Sequence, residues 1–228
     1  MPDSIRYQQL NDTLRSHNVQ LIAVSKTKSV AEIKALYELG QRDFGENYAQ
    51  ELVEKAPQLP DDIRWHFIGH LQKNKVKYII PFVHLIHSVD SYELLAEIEK
   101  RAAKESRIIQ VLLELKVAEE ENKHGLTEHQ LIRLLDQWTA QEADFAHIQI
   151  AGLMAMASLT EDQAQLATEF TRARTAFEHF RNTSFFAKPA FTILSMGMSS
   201  DYELAIANGS TMVRIGSLLF GARTLRNA

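Results

Sequence analysis

A regular alternation constrains this chain most. Short apolar runs are followed repeatedly by longer stretches with apolar residues at helical spacing. The runs fall at 21–24, 43–45, 65–68, 85–88, 108–115, 148–153, 191–194 and 212–215. Helical stretches at 30–39, 48–55, 72–80, 92–104, 128–141, 162–180 and 202–207 separate them, and another at 5–17 precedes the first. A short apolar run with polar borders reads as a strand buried on both faces, as in parallel sheets. Strands that alternate with helices build βαβ units. Eight such units are the number that closes a (β/α)8 barrel. The expectation is an α/β fold, a single-domain TIM barrel over residues 1–228, with an extra N-terminal helix. An open doubly wound sheet is the alternative. Its G-x-G-x-x-G fingerprint is missing after the first strand, as is a G-x-x-x-x-G-K-[ST] loop.

Composition narrows the chemistry. With no cysteine, disulfides, thiolate metal sites, iron–sulfur clusters and cysteine nucleophiles are excluded. A net charge of −4 gives no broad electrostatic reason to bind nucleic acid. The most apolar stretches fall short of the ~20 residues a membrane helix needs. The N-terminus is polar from its start, so no secretory leader is expected. A cytoplasmic protein is expected, with neither a membrane nor a nucleic-acid partner. No long apolar seam is left over, so a monomer is expected.

In a parallel barrel, functional groups gather where strands end and loops begin. The first strand ends in Ser25-Lys26-Thr27-Lys28. A lysine leaving a buried strand can point into the mouth, where desolvation and a nearby cation favour the neutral amine that forms a Schiff base. A lone lysine there is more often a snorkelling one, and Lys26 and Lys28 share strand parity, so alternation does not choose between them. Arg214 interrupts the apolar run Met-Val-Arg-Ile-Gly, and a buried guanidinium needs an acceptor. That acceptor is either a protein carboxylate or a ligand atom. Gly216-Ser217 and Ser199-Ser200 follow the last two strands, where barrel phosphate sites commonly lie; ordinary turn chemistry is the other reading. His66 and His70 have i, i+4 spacing, but they straddle a strand and its exit loop, so a hydrogen-bonded core histidine is favoured over a metal pair. Met154 and Met196 read as packing residues around a cavity. The acidic run at 119–121 reads as a solvated loop.

Six segments, taken in order, resemble one known family. They are A-V-S-K-T-K (23–28), F-G-E-N-Y (44–48), W-H-F-I-G-H-L-Q-K-N-K (65–75), G-L-M (152–154), S-M-G-M-S-S-D (195–201) and G-S-T-M-V-R-I-G (209–216). Together they resemble the pyridoxal phosphate homeostasis proteins, over nearly the whole chain. The resemblance implies a barrel like the N-terminal domain of alanine racemase (PLP fold type III), with pyridoxal 5′-phosphate in its mouth. It implies that Lys26 holds the cofactor covalently as a Schiff base and that Arg214 lies beside the pyridine nitrogen. It places phosphate contacts on Ser199, Gly216 and Ser217, and cavity positions at Asn47, His66, Met154 and Ser195. Ser29 stands where proline is frequent in the family, the segment after Met154 lacks its usual proline, and Ser217 replaces a common threonine.

The resemblance also implies a cofactor carrier that balances pyridoxal phosphate and amino and keto acid pools without established catalysis, with apo-enzymes as possible recipients. An arginine only donates, so it disfavours the protonated ring nitrogen on which carbanion stabilisation depends. The second domain that supplies an acid–base group in the racemase fold is expected to be missing, and turnover is expected to be slow. The alternatives are a pyridoxal-phosphate enzyme, such as an amino acid racemase with a tyrosine or histidine base in the barrel, and a metal-dependent hydrolase using His66 and His70.

Overall fold

A computed structural model describes residues 3–118, 120, 124–183 and 190–221. Helix α1 (Ser4–Ser16) precedes strand β1 (Gln20–Val24). There follow α2 (Val30–Glu38), β2 (Asp43–Glu46), α3 (Ala49–Lys55), β3 (Arg64–Phe67), α4 (Lys73–Ile79), β4 (Val83–Val89), α5 (Tyr92–Lys104) and β5 (Ile109–Leu115). The second half holds α6 (Glu128–Ala140), β6 (Ile148–Ala155), α7 (Gln163–Arg181), β7 (Ile193–Ser195), α8 (Tyr202–Ala207), β8 (Met212–Ile215) and α9 (Ser217–Phe220). The strands pair in chain order, all parallel, and β1 pairs with β8, so the sheet closes into the expected barrel. At the closure Ile22 lies opposite Arg214.

Local chemistry starts the helices. Ser29 and Glu32 form a capping box at α2, and Thr127 and Gln130 form one at α6. Asp3, Ser91 and Asp162 cap α1, α5 and α7. Each cap satisfies backbone donors that helix geometry leaves open, typically for about 1 kcal/mol.

Alternation along the strands creates two apolar layers. Leu21, Ala23, Phe44, Trp65, Phe67, Val111 and Leu113 join the helices in the larger core. Ile22, Leu85, Leu112, Ala151, Met154 and Met212 form a separate cluster inside the barrel. Ala151 and Met154 both belong to it although they are three residues apart. A register shift between Val111 and Leu112 opposite β6 accounts for this, and Gly152 sits at the irregularity. A Cβ there would lie 1.8 Å from the Ile193 carbonyl oxygen, so β6 and β7 approach too closely for any side chain.

Element boundaries differ from expectation by up to two residues, as at β6 and β7. Strand β6 runs to Ala155 rather than 153, β7 covers Ile193–Ser195 rather than 191–194, and the short α9 was not expected. Of the acidic run at 119–121, only Glu120 lies among the described residues. Its carboxylate accepts the Leu159 N–H at 3.1 Å, so it ties one loop to another.

Gly152→Ala is expected to cost about 3 kcal/mol or more, because backbone must move on two strands. Urea unfolding followed by circular dichroism measures this, and an unchanged midpoint would contradict the close approach.

Candidate functional site

The turn after β1 has an unusual backbone. The Lys28 N–H donates to the Ser25 carbonyl at 3.0 Å, closing a four-residue turn with Lys26 and Thr27 at its corners. Thr27 has φ +63°, a left-handed conformation that a β-branched residue adopts only with strain. Polar side chains of β2 and α3 hold the turn. The Thr27 N–H donates to Glu51 Oε2 at 2.7 Å, and Ser25 Oγ donates to Glu46 Oε1 at 2.6 Å. Lys55 Nζ, from α3, bonds the Ser25 carbonyl at 3.0 Å, Glu46 at 2.8 Å and Glu51 at 2.5 Å. Glu46 is fully buried, and its Oε2 has no hydrogen-bond partner among the described residues. Burial outweighs Lys55 and pushes the Glu46 carboxyl up to about 7.

Across the mouth, Arg214 is buried inside the barrel. Its Nη1 donates to the Ser195 carbonyl at 2.8 Å and to Ser195 Oγ at 2.6 Å, and its Nη2 donates to the Ala155 carbonyl at 3.0 Å. Neutral acceptors hold this guanidinium, where the sequence left open a carboxylate or a ligand. Desolvation lowers its pKa to about 10, with Glu114 and Asp201 opposing, so it stays cationic at neutral pH.

Between turn and arginine lies a cavity of about 500 Å3, within the usual range for small-molecule sites. Of the expected site residues, Lys26, Asn47, Ser199, Arg214, Gly216 and Ser217 line it. The Gly216 N–H donates to Ser199 Oγ at 3.3 Å, which joins the two serine-bearing loops. Asn47 Oδ1 is buried without a partner among the described residues, an acceptor at the cavity wall that awaits a donor. Its backbone is brought close by Gly69, where a Cβ would stand 2.2 Å from the Asn47 carbonyl oxygen. Lys28 also lines the cavity, but its Nζ bonds the Phe220 carbonyl at 3.2 Å and lies 3.6 Å from Glu32. A larger neighbouring cavity, about 610 Å3, shares Asn47 but has no arginine or serine in its lining.

His66, Met154 and Ser195, expected at cavity positions, are not among its lining residues. Each is at most 1% exposed. Ser195 sits behind Arg214. Met154 is in the lumen because of the register shift at Gly152, and Met156 reaches the cavity in its place. Met196 belongs to the larger core. His66 is the hydrogen-bonded core histidine that was favoured, bonded to Asp43 and His87 at 3.0 Å each.

His70 turns the other way and stacks on His124, with centroids 4.1 Å apart and planes at 16°. Asp90 joins them, the ligand atoms of the trio lying within 4.8 Å of one another. Nearly parallel rings send their lone pairs side by side rather than toward one point, so this arrangement is a stack with a carboxylate beside it, 3.5 Å from His70 Nδ1. Sequence reasoning passed over Glu114, which is buried in β5 and raised to about 7 by desolvation and by Asp90. The signal was available, since Glu114 interrupts an apolar strand just as Arg214 does.

The family profile for the alanine racemase N-terminal domain matches residues 5–224. The pyridoxal phosphate homeostasis protein of Aquifex aeolicus is 39% identical over 90% of this chain and 87% of its own. That of Schizosaccharomyces pombe is 36% identical over 97% of this chain and 91% of its own. The chain belongs to the pyridoxal phosphate homeostasis protein family. Within that family, PipY of Synechococcus elongatus has been solved without and with pyridoxal phosphate bound. The form without it is 37% identical, with TM-score 0.88, over 96% of this chain and 99% of PipY. The bound form superposes with TM-score 0.83 at 35% identity over the same shares. Alanine racemase from Bartonella henselae shares the fold, with TM-score 0.66 at 16% identity, over 95% of this chain and 59% of the racemase. Among the described residues no helix is long and apolar enough to cross a membrane.

Because burial raises the Glu46 pKa, the folded chain holds the extra proton between about pH 4.5 and 7, and that contribution to stability falls as pH rises through this window. Glu46→Gln removes the dependence. Its urea midpoint should gain on the original protein from pH 4.5 to 7, by the equivalent of about 1–3 kcal/mol. A midpoint difference that is flat with pH would place the proton elsewhere.

Proposed function

We propose that this protein binds pyridoxal 5′-phosphate at the barrel mouth, holds it covalently through Lys26, and serves as a cytoplasmic, monomeric carrier in cofactor homeostasis. The observation that carries this reading is the convergence of Lys26 and Arg214 on one cavity with the hydroxyls of Ser199, Ser200 and Ser217. A primary amine suits an aldehyde, a fixed cation suits a ring nitrogen lone pair, and hydroxyl and backbone donors suit a phosphate. Membership of a family in which PipY has been solved with pyridoxal phosphate bound supports the same assignment. When bound, the cofactor supplies an electrophilic carbonyl for amines and an electron sink for their α-carbon.

Each lining residue then has a task. The strained Ser25–Lys28 turn fixes where the Lys26 stem leaves β1, while Phe220 and Glu32 hold Lys28 aside. Ser199, Gly216 and Ser217 would take the phosphate, Asn47 would present its free acceptor to the ligand, and Arg214 would face the ring nitrogen. His66, Met154 and Ser195 act from the layer beneath.

The lining also bears on catalysis. Among the described residues its titratable groups are Lys26, Lys28 and Arg214, with no histidine, tyrosine, aspartate or glutamate. Racemisation calls for two acid–base groups on opposite faces of the substrate. A donor-only arginine at the ring nitrogen further weakens the electron sink. Both features favour holding the cofactor over turning it over, and transfer to apo-enzymes fits a site with this chemistry.

Purified protein incubated with pyridoxal phosphate should turn yellow, and borohydride should bleach the band and fix one label on Lys26. Lys26→Ala should lose the band and keep its circular dichroism spectrum, while Lys28→Ala should retain the band. Protein that stays colourless, or a label that maps to Lys28, would overturn the assignment.

A further inference from the structure

An unbroken line of hydrogen bonds runs down the barrel lumen from Arg214. Arg214 Nη1 meets Ser195 Oγ at 2.6 Å, and Ser195 Oγ meets His87 Nδ1 at 3.1 Å. His87 Nε2 meets His66 Nδ1 at 3.0 Å, and His66 Nε2 meets Asp43 Oδ1 at 3.0 Å. Arg64 closes the line, clasping both oxygens of Asp43 at 2.7 and 2.5 Å. Ser195, His66 and His87 are each at most 1% exposed, and Asp43 is 6% exposed.

With both histidine rings neutral, the two ends fix the direction of every bond between them. A guanidinium can only donate, and a carboxylate can only accept. Ser195 Oγ therefore accepts from Arg214 and turns its own hydrogen toward His87 Nδ1. His87 must carry its proton on Nε2 and donate to His66 Nδ1. His66 must carry its proton on Nε2 and donate to Asp43. This assignment satisfies both ring nitrogens of each histidine with both rings neutral. Protonating either ring would instead reverse the Ser195 link, because the hydroxyl has a second lone pair with which to accept from His87 Nδ1.

Among the groups facing the two rings, Asp43 favours a charged His66, and burial outweighs it. Asp43 comes from β2, Arg64 from β3, His84 from β4 with its ring 5.8 Å from His66, and Arg214 from β8. Burial lowers the pKa of both histidines, and for His87 the neighbouring His66 and Arg214 lower it further.

We propose that Asp43, His66 and His87 are positioning residues for Arg214. They form a one-way relay that locks the Ser195 hydroxyl and the guanidinium, so that a carboxylate at the floor of the barrel governs how firmly the arginine faces the cofactor. The proposal rests on the reading that Arg214 faces the ring of bound pyridoxal phosphate. Hydrogen bonds in a low-dielectric chain polarise one another. The Asp43 charge makes His66 Nδ1 a better acceptor, that in turn strengthens His87, and the effect ends at Ser195 Oγ.

Two measurements test the relay. Long-range proton–nitrogen NMR of the cofactor-free protein should show His66 and His87 neutral with the proton on Nε2 from pH 6.5 to 9. A His87 proton on Nδ1, or a charged ring, would overturn the proposal whatever the cofactor does. The second is a double-mutant cycle on the cofactor-loaded protein with Asp43→Asn, which keeps an acceptor and removes the charge, and Ser195→Ala, which cuts the relay. Asp43→Asn alone should weaken retention of pyridoxal phosphate about five-fold and shift the pH profile of its absorption band. In the Ser195→Ala background the same change should add less than two-fold and leave the profile in place. Full additivity, or an unmoved profile, would show that Asp43 acts on the fold alone, with the binding reading intact. An original protein that takes up no pyridoxal phosphate would sink that reading itself.

Discussion

Closure of the barrel by the β1–β8 pairing is the interaction on which everything else depends. The lysine-bearing turn leaves β1 near the start of the chain, and Arg214 lies in β8 near its end. They face one cavity only because Ile22 is in register with Arg214 across that last seam. The same closure creates a lumen without bulk water, so every polar group within it must find a partner in the protein.

Two polar systems answer that demand differently. In the lumen, Arg214 is held by three neutral acceptors, and the chain behind it leaves each histidine nitrogen paired. At the end of β2 and on α3, Glu46, Glu51 and Lys55 are less completely satisfied, with one carboxylate oxygen of Glu46 left over. Their work is to hold Thr27 in a backbone region that costs about 1–3 kcal/mol. Packed side chains could not do this, because the strained turn needs acceptors for its N–H groups and donors for its carbonyls.

Much of this was legible in the sequence. Apolar runs separated by amphipathic stretches identify eight strands because parallel strands are apolar on both faces, and that property is local. Arg214 stood out because a cation within such a run has to be paired. Non-local features were hidden. The shift that carries Met154 into the lumen depends on how β5 meets β6, and no residue in β6 alone announces it except Gly152. Serine, histidine and aspartate are common at strand ends, so the partnership of Asp43, His66, His87 and Ser195 emerges only when four strands are brought together. The parting of His66 and His70 follows from the end of β3 at Phe67, which leaves His66 in the lumen and His70 in the exit loop.

The relay ends at Arg64, whose side chain is 45% exposed on the face opposite the mouth. A protein engineer seeking heat resistance would be tempted to replace the polar interior with leucine and isoleucine. Buried polar networks often yield stability when exchanged for well-packed hydrocarbon. In this barrel the exchange would sever the underside from the top, leaving a sturdier scaffold whose floor no longer has any say in what its mouth holds.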